Sequence, residues 1–322
     1  MSGAGRAGGI RAFCALARMA ALESLRSPAF LLVACVGVCG IALLPVVMNF
    51  TLGDGARMVA DAGLSLLLVC GMALGILGAL ETVGDGLGQG RAAALLSKPV
   101  GRGQWLAAQA AGVGGALALY GAAAVPALLA SVRSAMAPNG TDWGISGALL
   151  AAAVVALALA GAWNHRTRRP FSSAAFLWLA PAVAAALAVA AAGAADVRAA
   201  VQSVWPLAGI AWLAWLPALV AAALAAAFAT RLSPVAAALC AGGLLSAGLM
   251  ADWLLGARLD RLWAQGLYAL LPNLQAFWLA DAWAEGLAVP GAYLLAATLH
   301  AACYAGFALA LGAWGLRSRD VG

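Results

Sequence analysis

Few side chains in this sequence could carry acid–base, nucleophilic or metal chemistry, and they are scattered. Only two histidines occur. His165 belongs to a basic turn, whereas His300 lies in a long apolar stretch, where an imidazole can act as a proton relay or as a hydrogen-bonded packing residue. Asp281 and Glu285 have the i, i+4 spacing of neighbours on a solvated helix face. None of these residues by itself indicates an active site.

Sequence motifs for nucleotide binding and catalysis are missing. The sequence contains no GxxxxGK[ST] phosphate loop, no HExxH and no GxSxG. Its six cysteines show no CxxC spacing, and we predict that they are small buried hydrophobic residues. We therefore expect no enzymatic activity, no catalytic residue, no metal site and no cofactor bound directly by the chain.

Long apolar stretches must position the few polar side chains. Of the 322 residues, 65% are hydrophobic and only 9% are charged, which is outside the range of soluble domains. A bilayer core of about 30 Å requires roughly 20 apolar helical residues. Continuous runs of Ala, Leu and Val favour helices over the alternating strands of a barrel. The sequence predicts an all-α polytopic membrane helix bundle with eight spans: 29–48, 62–80, 105–130, 145–163, 173–194, 204–229, 234–255 and 289–315.

Basic residues lie beside the ends of these spans and indicate orientation. With eight crossings, 13 of the 18 Lys and Arg residues fall on one side and 5 on the other. The larger group is Arg6, Arg11, Arg18, Arg26, Arg91, Lys98, Arg102, Arg166, Arg168, Arg169, Arg231, Arg317 and Arg319; the smaller is Arg57, Arg133, Arg198, Arg258 and Arg261. The positive-inside rule then predicts cytoplasmic N- and C-termini. Since no solvated basic domain is present, nucleic acid is not an expected partner.

The segments outside the spans differ in character. Residues 1–28 predict a partly amphipathic helix on the inner membrane surface, and residues 256–288 mix charges with aromatic residues typical of an outer interfacial segment. In the cytoplasmic loop 81–104, alternate glycines from Gly84 to Gly90 predict a turn instead of a helix. The remaining divisions are membrane helices 1–2 over 29–80, helices 3–7 over 105–255, helix 8 over 289–316 and a tail over 317–322.

One stretch of the cytoplasmic loop carries a family resemblance. Residues 90–102 read GRAAALLSKPVGR and resemble the cytoplasmic segment of ABC-2 type transporter permeases, where a Gly-[Thr/Arg] pair precedes an LLSKPxxR-like run. Four other regions are similar to such permeases: 23–28, 229–234, 271–278 and 316–320. The family commonly has glutamates two and four residues before the first glycine. This sequence has Gly88 and Gly86 there, and its nearest acids are Asp85 and Glu81.

The resemblance implies that the loop is a coupling element that docks on a separate cytoplasmic ABC ATPase subunit, which would hold ATP and Mg. The implied coupling residues are Glu81, Asp85, Gly90, Arg91, Leu95, Leu96, Ser97, Lys98, Pro99 and Arg102. Leu95 and Leu96 could fill an apolar cleft of the ATPase, while Lys98 and Arg102 could meet acidic groups or lipid phosphates, or only anchor the topology.

The resemblance also implies an ATP-driven exporter subunit in the bacterial cytoplasmic (inner) membrane, paired with a second copy or a related permease. Family members commonly have six spans, so 145–163 and 173–194 would form an extra hairpin. Two alternatives stay open: a proton-coupled secondary transporter that uses His300, and a non-transporting membrane scaffold subunit. Ala-rich walls suit lipids, hydrophobic drugs and peptides alike, and the substrate site is unknown.

Overall fold

The computed structural model describes residues 3–48, 54–88, 90–96, 100–137, 141–192 and 197–317. Every regular element in these ranges is helical. The helices are α1 (Gly3–Arg26), α2 (Pro28–Val47), α3 (Gly55–Ala79), α4 (Asp85–Gly88), α5 (Arg91–Leu96), α6 (Arg102–Ala135), α7 (Trp143–Thr167), α8 (Phe171–Ala192), α9 (Val197–Ala229), α10 (Pro234–Leu249), α11 (Ala251–Leu255), α12 (Leu262–Leu270), α13 (Ala280–Ala284) and α14 (Gly291–Arg317). A π-helical turn, Leu80–Gly84, joins α3 to α4 without a break, and 3-10 turns occupy Gly256–Arg258 and Gln275–Phe277.

Seven helices in the described ranges are long and apolar enough to cross a membrane. They are Pro28–Val47, Gly55–Gly88, Arg102–Ala135, Trp143–Thr167, Phe171–Ala192, Val201–Ala229 and Gly291–Arg317. The helix α10 and the residues up to Arg258 form a further apolar unit that is bent by 70°. The prediction of an all-α, multi-pass membrane bundle is confirmed, with seven spans, or eight if the bent unit is one.

Small residues bring the central helices close together. Gly75 of α3 packs on the backbone of α9, where an added Cβ would lie 3.0 Å from the amide nitrogen of Ala222. Trp215 of α9 donates from its indole nitrogen to the carbonyl of Leu117 in α6 at 3.0 Å. Ser131 of α6 donates in turn to the carbonyl of Ile41 in α2 at 2.9 Å. These close approaches and interhelical hydrogen bonds are what holds helices together in lipid, where apolar burial gives little driving force.

Side-chain contacts identify the two ends of the bundle. Arg57, at the start of α3, pairs with Asp281 of α13 at 3.2 Å. At the opposite end, Arg102 donates to the carbonyls of Leu316 and Arg317 at 2.6 and 3.0 Å, so α6 begins where α14 ends. We call this end, which carries Arg102 and Arg317, the basic end.

The start of α1 also lies at the basic end. Gln104 of α6 donates to the carbonyl of Gly9 at 2.7 Å. The two ends of the described chain therefore both lie at the basic end of the bundle.

Helices α3 and α6 extend past the start of α2 at the basic end. Each forms a continuous run of 34 residues, α3 with its extension to Gly88. At 1.5 Å per residue such a run is about 51 Å long, against a hydrocarbon core of about 30 Å. The neighbouring α2 has only 20 residues, and its Phe30 lies beside Gly78 of α3, which also contacts Val113 of α6. The part of α3 after Gly78 and the part of α6 before Val113 therefore extend beyond the start of α2.

The glycine-rich stretch and α1 differ from the prediction. The helix continues through Gly84, Gly86 and Gly88, and the chain turns at Gly90, whose φ is +71°. Tertiary contact explains this, since Gly84 packs against Pro234 and Ala229 and such contacts override a weak helix propensity. The helix α1 forms as predicted, but it packs along α6 and does not lie alone on the membrane surface. An added Cβ at Gly112 would lie 2.5 Å from the Ala20 Cβ.

The predicted span 234–255 is broken near Met250. A later part of the chain, which includes Pro272, packs against the end of α10 there. Gly248 packs against the Pro272 ring. The amide of Leu274 donates to the Gly248 carbonyl at 3.3 Å, and the Gln275 side chain donates to the Leu249 carbonyl at 2.9 Å. These bonds satisfy carbonyls that an unbroken helix would have used.

The same return moves α12 away from the predicted outer surface segment over 256–288. The hydroxyl of Tyr304, in the middle of α14, donates to the Leu270 carbonyl at 2.8 Å. The end of α12 therefore lies beside the middle of a membrane-spanning helix and not beyond its end. Helix α13, at Asp281, lies at the end opposite the basic end.

Candidate coupling site at the basic end

The candidate site is the helical extension at the basic end. It consists of the π turn, α4 and α5, which pack against α1 and the first turns of α6. Of the predicted coupling residues, the structure brings Glu81, Arg91 and Leu95 into one cluster. Ser97, Lys98 and Pro99 lie outside the described residues, as does the side chain of Leu96.

Arg91 connects α5 to two other elements. Its guanidinium forms an ion pair with Glu23 of α1 and donates to the backbone carbonyl of Glu81 at 3.4 Å. The side chains of Arg91 and Glu23 are 44% and 31% exposed, so solvent screens the pair and its contribution to stability is small. Its importance is geometric, because it fixes the direction in which α5 leaves the bundle.

Glu81 links the π turn to the start of α2. Its Oε1 accepts a hydrogen bond from the Ser27 hydroxyl, and the same hydroxyl oxygen caps α2 by accepting from the Phe30 amide at 3.3 Å. The other carboxylate oxygen of Glu81 is buried and has no hydrogen-bond partner among the described residues. A carboxylate close to a helix N-terminus is favoured by the helix dipole, so this contact joins two helices through one serine.

Leu95 packs where α5 meets α1 and α6, and its role as a plug in a cleft of the ATPase stays a prediction. Its half-buried side chain lines a cavity of about 260 Å³ with Leu16 of α1, Trp105 and Gln109 of α6. The indole nitrogen of Trp105 and the Oε1 of Gln109 are buried there without partners among the described residues. Arg91 and Ala94 of α5 are exposed and also line this cavity.

Arg102 and the remaining predicted residues have different positions. Arg102 caps the end of α14 through the carbonyls of Leu316 and Arg317, which is a structural role that the sequence did not indicate. Gly90 supplies the turn with positive φ between α4 and α5, and such a conformation favours glycine. Asp85 begins α4 and is half-buried.

Sequence reasoning missed Glu23 and Ser27, which hold the extension in place. A signal was available for Glu23, because it is the only acidic residue before Asp54. Ser27 precedes Pro28, and a serine before a proline is a common helix start. Neither pattern identifies the partner residue, which is 68 positions away for Glu23 and 54 for Ser27.

His300 does not assemble a second site. It is exposed on α14, and its imidazole lies 6.0 Å from the ring of the buried Phe277. Asp281 is paired with Arg57. In the part of the chain that the structure describes, no group of three or more His, Cys, Asp or Glu side chains could hold a metal ion.

The site is therefore defined by contacts within this one chain. Arg91, Glu23, Glu81 and Ser27 tie four helical elements together at the end of the bundle where the two ends of the described chain lie. No family model matches the sequence, and neither a curated protein nor a solved structure shows significant similarity to it.

Proposed function

We propose that this chain is the membrane-spanning subunit of an ATP-driven exporter of the ABC-2 class, driven by a separate cytoplasmic ATPase. The observation that carries the proposal is the unbroken helical path from α3 through the π turn into α4, continued by α5 and fixed to α1 and α2. The sequence of this projecting end, GRAAALLSKPVGR, is the one that resembles the coupling segment of such permeases.

The packing supports force transmission from this end. The helix α3 is in close contact with α9 at Gly71 and Gly75, and α9 is the most buried of the candidate membrane spans. A push on α4 and α5 would therefore move α3 and α9 together, as a rigid-body or shear displacement of packed helices. The ion pair between Arg91 and Glu23 would make α1 move with them.

Contacts at the two ends support eight crossings. Helix α9 ends at Ala229, and the following Thr230 lies beside Gly315 of α14, at the basic end. Helix α14 begins at the opposite end, near α13 and the Arg57–Asp281 pair. The chain between α9 and α14 must therefore pass once more from one end to the other, through the bent unit of α10 to α13. With the basic end facing the cytoplasm, both termini are cytoplasmic.

In this proposal two permease chains, identical or related, form the substrate pathway in a bacterial cytoplasmic membrane. ATP and Mg are bound by the partner ATPase, and the permease supplies no ATPase motif of its own. The surface offered to the ATPase includes Gly90, Arg91 and Ala94, which are exposed.

Isolation from the native host tests the proposal. In mild detergent, the chain should copurify with a P-loop ATPase identified by mass spectrometry. The substitution Ala94→Arg on the exposed surface of α5 should reduce the bound ATPase at unchanged yield of the folded permease. The matched control is Ala292→Arg, at an exposed position in the first turn of α14 and far from the basic end. Recovery of the chain without any ATPase would contradict the proposal.

A proton-coupled carrier and a scaffold are the competing functions. The carrier would need His300 beside an acid or a water-filled path, and an aromatic ring flanks it instead. Gradient-driven uptake by the chain alone, abolished by His300→Ala, would support the carrier. A stable complex whose ATPase shows no substrate-stimulated turnover would support the scaffold.

A further inference from the structure

A cavity of about 750 Å³ lies between α9, α10, α12 and α14. It forms where α10 ends at Leu249 and the returning α12 is held beside α14 by the bond from Tyr304 to the Leu270 carbonyl. Its volume falls within the range of about 300–1,000 Å³ that small-molecule sites occupy. Discontinuous membrane helices commonly border such binding sites.

The walls of this cavity are apolar over most of their length. They are formed by leucine and phenylalanine side chains from all four helices, including Leu224, Phe228, Leu244, Leu267, Phe307 and Leu311. Phe307 and Leu311 are 53% and 51% exposed, so the cavity opens sideways on a membrane-spanning helix. An occupant that enters there comes from the bilayer and is apolar along this length.

One end of the cavity is polar and positively charged. Thr230 and Arg231, in the turn between α9 and α10, belong to its lining at the basic end. Arg231 lies over the last turn of α14, where Gly315 leaves room for it: an added Cβ would be 3.6 Å from both the Cγ and the Nε of Arg231. Among the described residues of the lining, Arg231 is the charged one. A long apolar wall that ends at a guanidinium complements an anionic amphiphile.

We propose that this cavity binds an acyl chain of an anionic phospholipid from the leaflet at the basic end, with the lipid phosphate at Arg231. Basic pockets between membrane helices on the cytoplasmic side are known to take anionic headgroups, and Arg matches phosphate geometry through its planar donors. The proposal does not depend on the ATPase, because it rests on the cavity and its charge alone.

A second groove provides an internal comparison. It has a volume of about 810 Å³, lies between α2, α7 and α8, and is lined by apolar side chains with Ser172 as the polar residue near its end. None of the described residues that line it is charged. This groove is expected to accept acyl chains without a headgroup preference.

Photolabelling of the full chain in phosphatidylcholine vesicles tests the proposal. The probes are phosphatidylglycerol and phosphatidylcholine that carry the same photoactivatable group on an acyl chain, and labelled peptides are mapped by mass spectrometry. Phosphatidylglycerol should label peptides of α9 and α14 several-fold more than phosphatidylcholine. The α2 and α7 peptides should be labelled equally by both lipids.

Three variants test whether Arg231 and the cavity cause the preferential labelling by phosphatidylglycerol. Arg231→Ala should reduce phosphatidylglycerol labelling to the phosphatidylcholine level, Arg231→Lys should retain most of it, and Leu311→Trp should lower labelling by both lipids by filling the cavity. Leu32→Trp in the second groove is the control and should leave α14 labelling unchanged. Equal labelling of the wild-type cavity by the two lipids overturns the proposal and needs no variant. Undiminished preference in a folded Arg231→Ala protein overturns it as well.

Discussion

Arg91 in α5 forms an ion pair with Glu23 in α1, and the same guanidinium reaches the backbone carbonyl of Glu81 in the π turn. Three segments therefore meet at one side chain, and one of them, α1, is 68 positions away in sequence. This arrangement makes the projecting end of α3 a fixed part of the bundle, able to transmit a displacement. Substitutions at these residues can decide whether that rigidity serves coupling or only stability.

Reversing the ion pair should separate these two roles. Arg91→Glu and Glu23→Arg should each place like charges together and reduce substrate-stimulated ATP hydrolysis by the isolated complex about tenfold, while the double swap should restore most of it. The cost in stability should stay within about 1 kcal/mol, because the pair is partly exposed. If the double swap hydrolyses ATP no faster than the single variants, the ion pair is not required for coupling.

Ser27→Ala should reduce ATPase stimulation by more than its loss of thermal stability explains. It removes both the cap of α2 and the hydrogen bond to Glu81, and loss of a cap costs about 0.5–2 kcal/mol. Ser233→Ala is a matched control, because Ser233 caps α10 by accepting from the Ala236 amide at 3.4 Å. Thermal unfolding should show a loss for both, and a larger one for Ser27→Ala because Glu81 also loses its hydrogen bond; ATPase stimulation should fall only for Ser27→Ala. Equal losses of stimulation would assign Ser27 a capping role alone.

Gly75→Ala should loosen the contact between α3 and α9. Its Cβ would press on the backbone of Ala218 and Ala222, which cannot move aside as a side-chain end could, and overpacking of this kind costs about 1–3 kcal/mol. The control is Gly161→Ala in α7, where an added Cβ meets no atom within 4 Å. Thermal unfolding in detergent should show a lower midpoint for Gly75→Ala and no decrease for Gly161→Ala.

Cysteine labelling should establish the topology. In a background without the native cysteines, Asp281→Cys should react from the outside of intact cells with a membrane-impermeant maleimide. Arg317→Cys should react only after the membrane is opened. Both positions are exposed, so access and not burial decides the result. Labelling of both from the outside would refute the eight-crossing arrangement.

The helices were predictable because the apolar stretches are long and carry few charges. Seven of the eight predicted spans correspond to continuous helices, although α3 and α6 extend well beyond the predicted 62–80 and 105–130. Those extensions contain charged or polar residues, such as Arg57, Glu81 and Gln104, that a hydropathy window excludes. Contacts with α1 and α13 keep them helical.

The break in α10 could not be read from its own sequence. Residues 234–251 form one apolar run, and hydropathy alone does not mark Met250 as the end of the helix. The cause is Pro272, which packs on Gly248 from 24 residues further along. The motif of the coupling segment was visible in sequence, whereas its partners Glu23 and Ser27 depend on the fold that brings distant segments together.

Site-specific photocrosslinking from α5 tests the central claim most directly. A photoreactive amino acid at the exposed Ala94 of the full chain, expressed in its own host, should capture a P-loop ATPase identified by mass spectrometry. The same probe at Val154, which is 66% exposed on α7, should capture none. Capture only at Ala94 is the predicted result. Absence of an ATPase at Ala94, together with vectorial transport by the purified chain alone, would contradict the account.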